Sequence, residues 1–136
     1  MSASHEGPIQ EARRTIEPLA EPLGEALHFL RMRGVFYCRS EFSEPWGLAL
    51  PPFERCMMFH VVTTGACRLE VPGARACMLR PGSLALVAHG RGHRLSSRPG
   101  VAAARLFDLP RERVGERYEV QRHGGGGAPA TVICGV

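Results

Sequence analysis

The sequence contains no lysine: all 17 of its basic side chains are arginine, set against 13 acidic ones for a formal net charge of +4. The arginines are scattered among glutamates and form no stripe, so the charge gives no footing for a nucleic-acid surface. Also missing is any run close to the roughly 20 apolar residues that a membrane helix needs. The polar start Met1-Ser2-Ala3-Ser4-His5-Glu6 lacks the basic-then-apolar order of a signal peptide. No membrane partner is expected, and the cytoplasm is the expected compartment. Five cysteines make an odd count without framework spacing, which predicts reduced thiols in place of structural disulfides. At 136 residues the chain predicts one domain, too short for a sensor plus a separate DNA-binding module.

Turn chemistry, by contrast, is plentiful, with 16 glycines and 11 prolines favouring a β fold over a helical bundle. The chain is organised around Met57 to Leu95, which reads as an antiparallel meander with strands at Met57–Thr64, Ala66–Val71, Arg75–Leu79 and Ser83–Ala88. Val71-Pro72-Gly73-Ala74 and Arg80-Pro81-Gly82-Ser83 each put Pro second and Gly third, as a type II turn requires. Alternation places Met58, His60 and Val62 on one face of the first strand, and Cys67, Leu69 and Val71 on the inner face of the second. Arg94 between His93 and Leu95 assigns His93 to the buried side. The two imidazoles of His60 and His93 are thus expected to converge in one barrel mouth.

Residues 1–20 are polar and broken by Pro8 and Pro18, and read as a flexible leader. A short helix is predicted from Pro22, with Leu23, Ala26, Leu27 and Leu30 on one face and Gly34 as its stop. His28 lies off that stripe and reads as an ordinary helix histidine. Val35–Phe42 alternates so that Phe36, Cys38 and Ser40 point inward, and Pro51-Pro52 excludes a central strand there. Ser96–Arg113 reads as irregular, anchored by Leu106, Phe107 and Leu109. A strand at Arg117–Arg122 is followed by His123, a flexible hairpin tip at Gly124–Gly127 and a last strand at Thr131–Val136.

At these residues a family resemblance enters. Pro81-Gly82, an apolar strand and then His89-Gly90-Arg91-Gly92-His93 resemble the second sequence motif of cupins. More narrowly, FHVVTTGACRLEV followed by LRPGSLALVAHGRGHRL, with the flanks YCRSEF, PWGLALPP and RHGGGGAPATVICGV, resembles the N-terminal cupin sensor domain of AraC-type transcription regulators, in the subgroup of reactive-chlorine sensors. The resemblance runs from about Leu23 to Val136. It implies an all-β cupin, a double-stranded β-helix or jelly-roll barrel with a short N-terminal helix, over residues 21–136. It further implies a non-enzymatic sensory domain answering a small effector, a metal or an oxidant. DNA would be held only through the family's helix-turn-helix region, which this sequence does not include. A homodimer is expected on the same grounds, since exposed edge strands invite pairing.

The competing class is a small metal-dependent cupin enzyme. A metal-binding cupin offers a His-x-His pair, a Glu and a final His; here Pro52-Phe53-Glu54 and Met58 fall at the first three positions and only His93 matches. Cys38, His60, His93 and Cys134 instead match positions that recur in the chlorine-sensor subgroup. Two thiolates and two imidazoles suit tetrahedral zinc with no open position for catalysis. A redox cysteine pair and plain core packing are the alternatives for the same residues. Cys56, Cys67 and Cys77 read as ordinary packing.

Overall fold

A computed structural model describes Gly34 and residues 36–136. The leader and the helix expected from Pro22 lie outside the described residues. Eleven strands follow in chain order: β1 Tyr37–Ser43, β2 Gly47–Leu50, β3 Met58–Thr64, β4 Cys67–Glu70, β5 Cys77–Leu79, β6 Leu84–Val87, β7 His93–Ser96, β8 Ala104–Arg105, β9 Arg111–Arg113, β10 Tyr118–Gly124 and β11 Pro129–Gly135. A 3₁₀ turn at Leu106–Asp108 separates β8 from β9. The strands form two sheets, β6-β3-β11-β1-β10-β9 and β5-β4-β7-β2-β8. This is the β-roll of a cupin, a double-stranded β-helix.

Period-two alternation builds the interior. Cys38, Ser40 and Phe42 of β1 are buried, as are Met58, His60 and Val62 of β3 and Cys67 and Leu69 of β4. The inward residues of both sheets join one apolar cluster that includes Phe42, Trp46, Leu48, Leu95 and Val132. Phe42 and Trp46 stack face to face, centroids 4.0 Å apart. The two Pro-Gly turns close with Ala74 N–H on Val71 O and Ser83 N–H on Arg80 O. Gly73 and Gly82 hold φ of 82° and 88°, the left-handed value a type II turn demands at its third position.

Three parts depart from the sequence reading. The segment before Pro51 is an interior strand after all: β2 lies between β7 and β8, and it ends at Leu50, one residue before a proline would remove a ladder donor. The region Ser96–Arg113 contains β8, the 3₁₀ turn and β9, too short for alternation to show; its Leu106 and Leu109 pack on the core while Phe107 is exposed. Gly124–Gly127 is no hairpin tip. β10 and β11 both pair with β1, from opposite sides, so the glycines carry the chain across the end of β1. A side chain there would collide with the 43–45 turn: a Cβ at Gly124 would sit 2.0 Å from Ser43 O, and one at Gly127 2.6 Å from Glu44 O.

Candidate functional site

Three neighbouring strands put two sulfurs and an imidazole in one row. Cys38 of β1 is the direct partner of Cys134 of β11, and Cys134 is the direct partner of His60 of β3. Directly opposed residues of antiparallel strands share a face, and here it is the inner one. A β-bulge sets this register. β11 pairs with β3 as Thr131↔Thr64, then shifts by one residue so that Val132 meets Val62 and Cys134 meets His60. Without the shift, Cys134 would oppose the outward Val61.

His60 is fully buried and uses both ring nitrogens. Its Nδ1 lies 3.0 Å from Cys134 Sγ and its Nε2 lies 2.6 Å from His93 Nε2. His93 Nδ1 in turn lies 2.9 Å from the Arg91 carbonyl oxygen. That last contact orients the whole line, because a carbonyl can only accept. His93 therefore carries its proton on Nδ1 and presents a bare Nε2; His60 donates from Nε2 and accepts at Nδ1; the Cys134 thiol donates. The line requires both imidazoles to be neutral, and burial provides for that. Desolvation, then the neighbouring His93, push His60 down to about 3. Burial also lowers His93, opposed by its bond to the Arg91 carbonyl.

The thiols are held protonated by the same physics. Burial raises Cys38, and burial together with the nearby Cys38 and Cys67 raises Cys134. Ser40, buried beside them, lies 3.9 Å from Cys38 Sγ and accepts a bond from Gln121 Nε2 at 2.7 Å. At the other end of the line, the loop that carries Arg91 is tied to the rest of the barrel. Phe53 N–H donates to Gly90 O at 2.9 Å, and a Cβ at Gly90, with φ of 59°, would sit 1.5 Å from Phe53 O. The Arg91 guanidinium reaches the Pro72 carbonyl. The line thus runs from the six-stranded sheet to β7 of the five-stranded sheet and to its leading loop.

Beside the row lies a cavity of about 260 Å³ whose walls include Cys38, His60 and Cys134 but not His93. Met58, which stands where a metal-binding cupin has its Glu, and Phe53, the spacer in the region of the paired histidines, line it with apolar atoms, while Glu54 is exposed. Cys56, read from the sequence as ordinary packing, also lines it, as do Arg111 and Gln121, to which sequence reasoning assigned no role. Gln121 carries no alternation signal, being buried next to a buried Val120. Cys67 is packed in the core, its thiol pushed up to about 12 by burial, while Cys77, read from the sequence as ordinary packing, is exposed.

The structure brings Cys38, His60, His93 and Cys134 together in a line, not around a centre. A zinc ion bound by two imidazoles at ordinary distances holds their nitrogens about 3.3 Å apart and uses one nitrogen of each ring. Here the facing nitrogens are at hydrogen-bond distance and His60 turns opposite nitrogens to Cys134 and His93. Among the described residues, no group of three His, Cys, Asp or Glu side chains is placed to hold an ion. As they stand, the four residues do not fit a tetrahedral centre.

The fold and the interior define a cupin barrel in which Met58 stands at the usual carboxylate position and Pro52-Phe53-Glu54 at the paired histidines. A family model described as cupin matches residues 21–136, and the chain belongs to that family. No curated protein and no solved structure matches it. Among the described residues, no helix is long and apolar enough to cross a membrane.

Proposed function

We propose that the chain is the non-enzymatic sensory cupin domain of an AraC-type transcription regulator, and that an oxidant acts on its Cys38–Cys134 pair. The observation that carries this reading is the register: two free cysteines directly opposed on adjacent antiparallel strands, facing the same cavity. Opposed residues have Cα atoms about 4.5 to 5.5 Å apart, inside the range a disulfide spans. With hypochlorous acid the chemistry balances simply. One thiol takes up chlorine and releases water; the second displaces chloride, forming the S–S bond and releasing a proton. Sulfur is oxidised and chlorine reduced.

Burial in the S–H form turns away reagents that need a free thiolate, and favours small uncharged oxidants able to enter an apolar cavity. The oxidised Cys134 has no proton to donate. His60 Nδ1 then loses its partner, and the bonds to His93 and the Arg91 loop loosen, which would carry the signal to the barrel mouth. DNA contact belongs to the family's helix-turn-helix region. The cytoplasm is the compartment this reading requires, since the resting thiols must be kept reduced. In the competing enzymatic reading, turnover of an organic substrate would appear on adding iron or manganese.

Brief treatment of the reduced protein with one equivalent of hypochlorite, followed by peptide mapping, tests the proposal. A Cys38–Cys134 disulfide, formed ahead of any involving Cys56, Cys67 or Cys77, is the expected product. A Cys77 adduct with Cys38 and Cys134 still reduced would contradict it.

One observation favours a second reading, a zinc-bound state of Cys38, His60, His93 and Cys134. His93 donates Nδ1–H to a backbone carbonyl, the orientation that metal-ligating histidines adopt. Such a state requires the His60–His93 contact to open and the His60 ring to re-aim. Elemental analysis of untagged protein decides it: one zinc per chain, lost in both Cys38→Ser and His93→Ala, is the result this reading needs.

A further inference from the structure

The cavity beside the cysteine row pairs an apolar interior with an exposed aromatic ring at its mouth. Leu48, Leu50, Met58 and Val136 wall it, and the atoms that face the void are almost all apolar. Both His60 nitrogens are committed to the line described above. The Arg111 guanidinium is committed as well: Nη2 donates to Leu106 O at 2.9 Å, and Nη1 lies 3.5 Å from a Glu119 oxygen. The Gln121 side-chain oxygen is fully buried and offers no acceptor to the void. Phe107, on the 3₁₀ turn, lines the same cavity yet is 63% exposed, which places it where the void meets solvent. Its ring meets Phe53 edge-on, centroids 6.0 Å apart, and the Arg111 guanidinium lies 5.0 Å from its centroid.

An unfilled apolar void forfeits dispersion contacts that a molecule of matching shape restores, and an exposed ring beside it adds area to bury. We propose that the cavity binds a small, uncharged, hydrocarbon-like molecule, such as an alkylbenzene, and that Phe107 covers it at the mouth. An apolar cavity of about 150 Å³ holds benzene, so this one, at about 260 Å³, takes about ten non-hydrogen atoms. Sugars are excluded, because their hydroxyls would exchange water for carbon. Carboxylates and phosphates are excluded, because Arg111, the cation among the described wall residues, is already matched by Glu119. As an effector site this rests on the sensory reading, but binding is read on the reduced protein without oxidant, so the two proposals fail separately.

The test uses the full chain under reducing conditions. Binding of p-xylene is expected in calorimetry, with nuclear Overhauser effects from its methyl protons to Leu48, Met58 and Phe107. Hydroquinone has the same shape with a hydroxyl at each end, and at least one of them must enter the void; it is expected to bind at least about tenfold more weakly. Phe107→Ala removes an exposed ring that is no part of the apolar cluster, so the fold is kept. It is expected to weaken p-xylene about fivefold, the worth of one aromatic pair. No binding of p-xylene, or contacts only to residues outside the cavity, would overturn the proposal. So would equal affinity for hydroquinone, or undiminished affinity in Phe107→Ala.

Discussion

Lowering the pH from about 6.5 towards 4 is expected to reduce the unfolding free energy of the reduced protein by about 1.4 kcal/mol per pH unit through His60 alone. The imidazole is fully buried, and a proton on its Nδ1 would have to displace the Cys134 thiol while placing a charge away from water. In the unfolded chain the ring takes its proton at the ordinary value of 6.5; in the folded one, not until about 3. Between those values the unfolded state binds the extra proton. The contribution is therefore complete above 6.5 and is lost as the pH falls towards the folded value, a total of about 5 kcal/mol on an order-of-magnitude scale. His93 is lowered as well and adds to the same slope over its own interval. Urea unfolding across this range measures it, with His60→Gln as the control that removes the titrating ring. A steep dependence in the wild type and a shallower one in the variant is the expected pair of results. Equal slopes would mean that His60 is not held neutral by the fold.

Oxidation is expected to do the opposite at neutral pH. A Cys38–Cys134 disulfide closes a loop of nearly 100 residues, which in the chain-entropy account stabilises the fold by about 4.7 kcal/mol. Against this stands the buried His60 Nδ1 that has lost its donor, a cost of about 1–3 kcal/mol. The difference, about 2–4 kcal/mol, corresponds to a melting temperature raised by about 7–15 °C for a domain of this size. Calorimetry of the reduced and oxidised forms reads it directly, and Cys38→Ser should melt at one temperature under both conditions. An oxidised protein no more stable than the reduced one would place the new bond elsewhere. The proposed sensor would thus be tightened between β1 and β11 while it is loosened at the Arg91 loop.

Much of the barrel was written in local pattern. Alternation in β1, β3 and β4 correctly separated inward from outward residues, because one face of each strand meets the core and the other does not. Pro72-Gly73 and Pro81-Gly82 announced turns whose φ values only glycine adopts without strain. Register was not legible, because it depends on a one-residue bulge between Thr131 and Val132 that no residue type marks. Hence the inward direction of Cys38 and the approach of His60 to His93 could be read, but not that Cys134 lies between Cys38 and His60. The glycine run misled for a related reason. Glycine permits a flexible tip and a close crossing equally, and only the placement of β1 between β10 and β11 decides between them. Gln121 and Arg111 resemble ordinary strand polar residues until the cavity they line is seen.

The account rests on one directed line of protons: Cys134 thiol to His60 Nδ1, His60 Nε2 to His93 Nε2, and His93 Nδ1 to the Arg91 carbonyl. Nitrogen-15 NMR of the imidazole rings in the reduced, full-length protein at neutral pH tests it most directly. The account predicts two neutral rings in opposite tautomers, His60 protonated at Nε2 and His93 at Nδ1, with the His60 ring still neutral at about pH 5. A charged imidazolium at either residue, or the same tautomer at both, would contradict it.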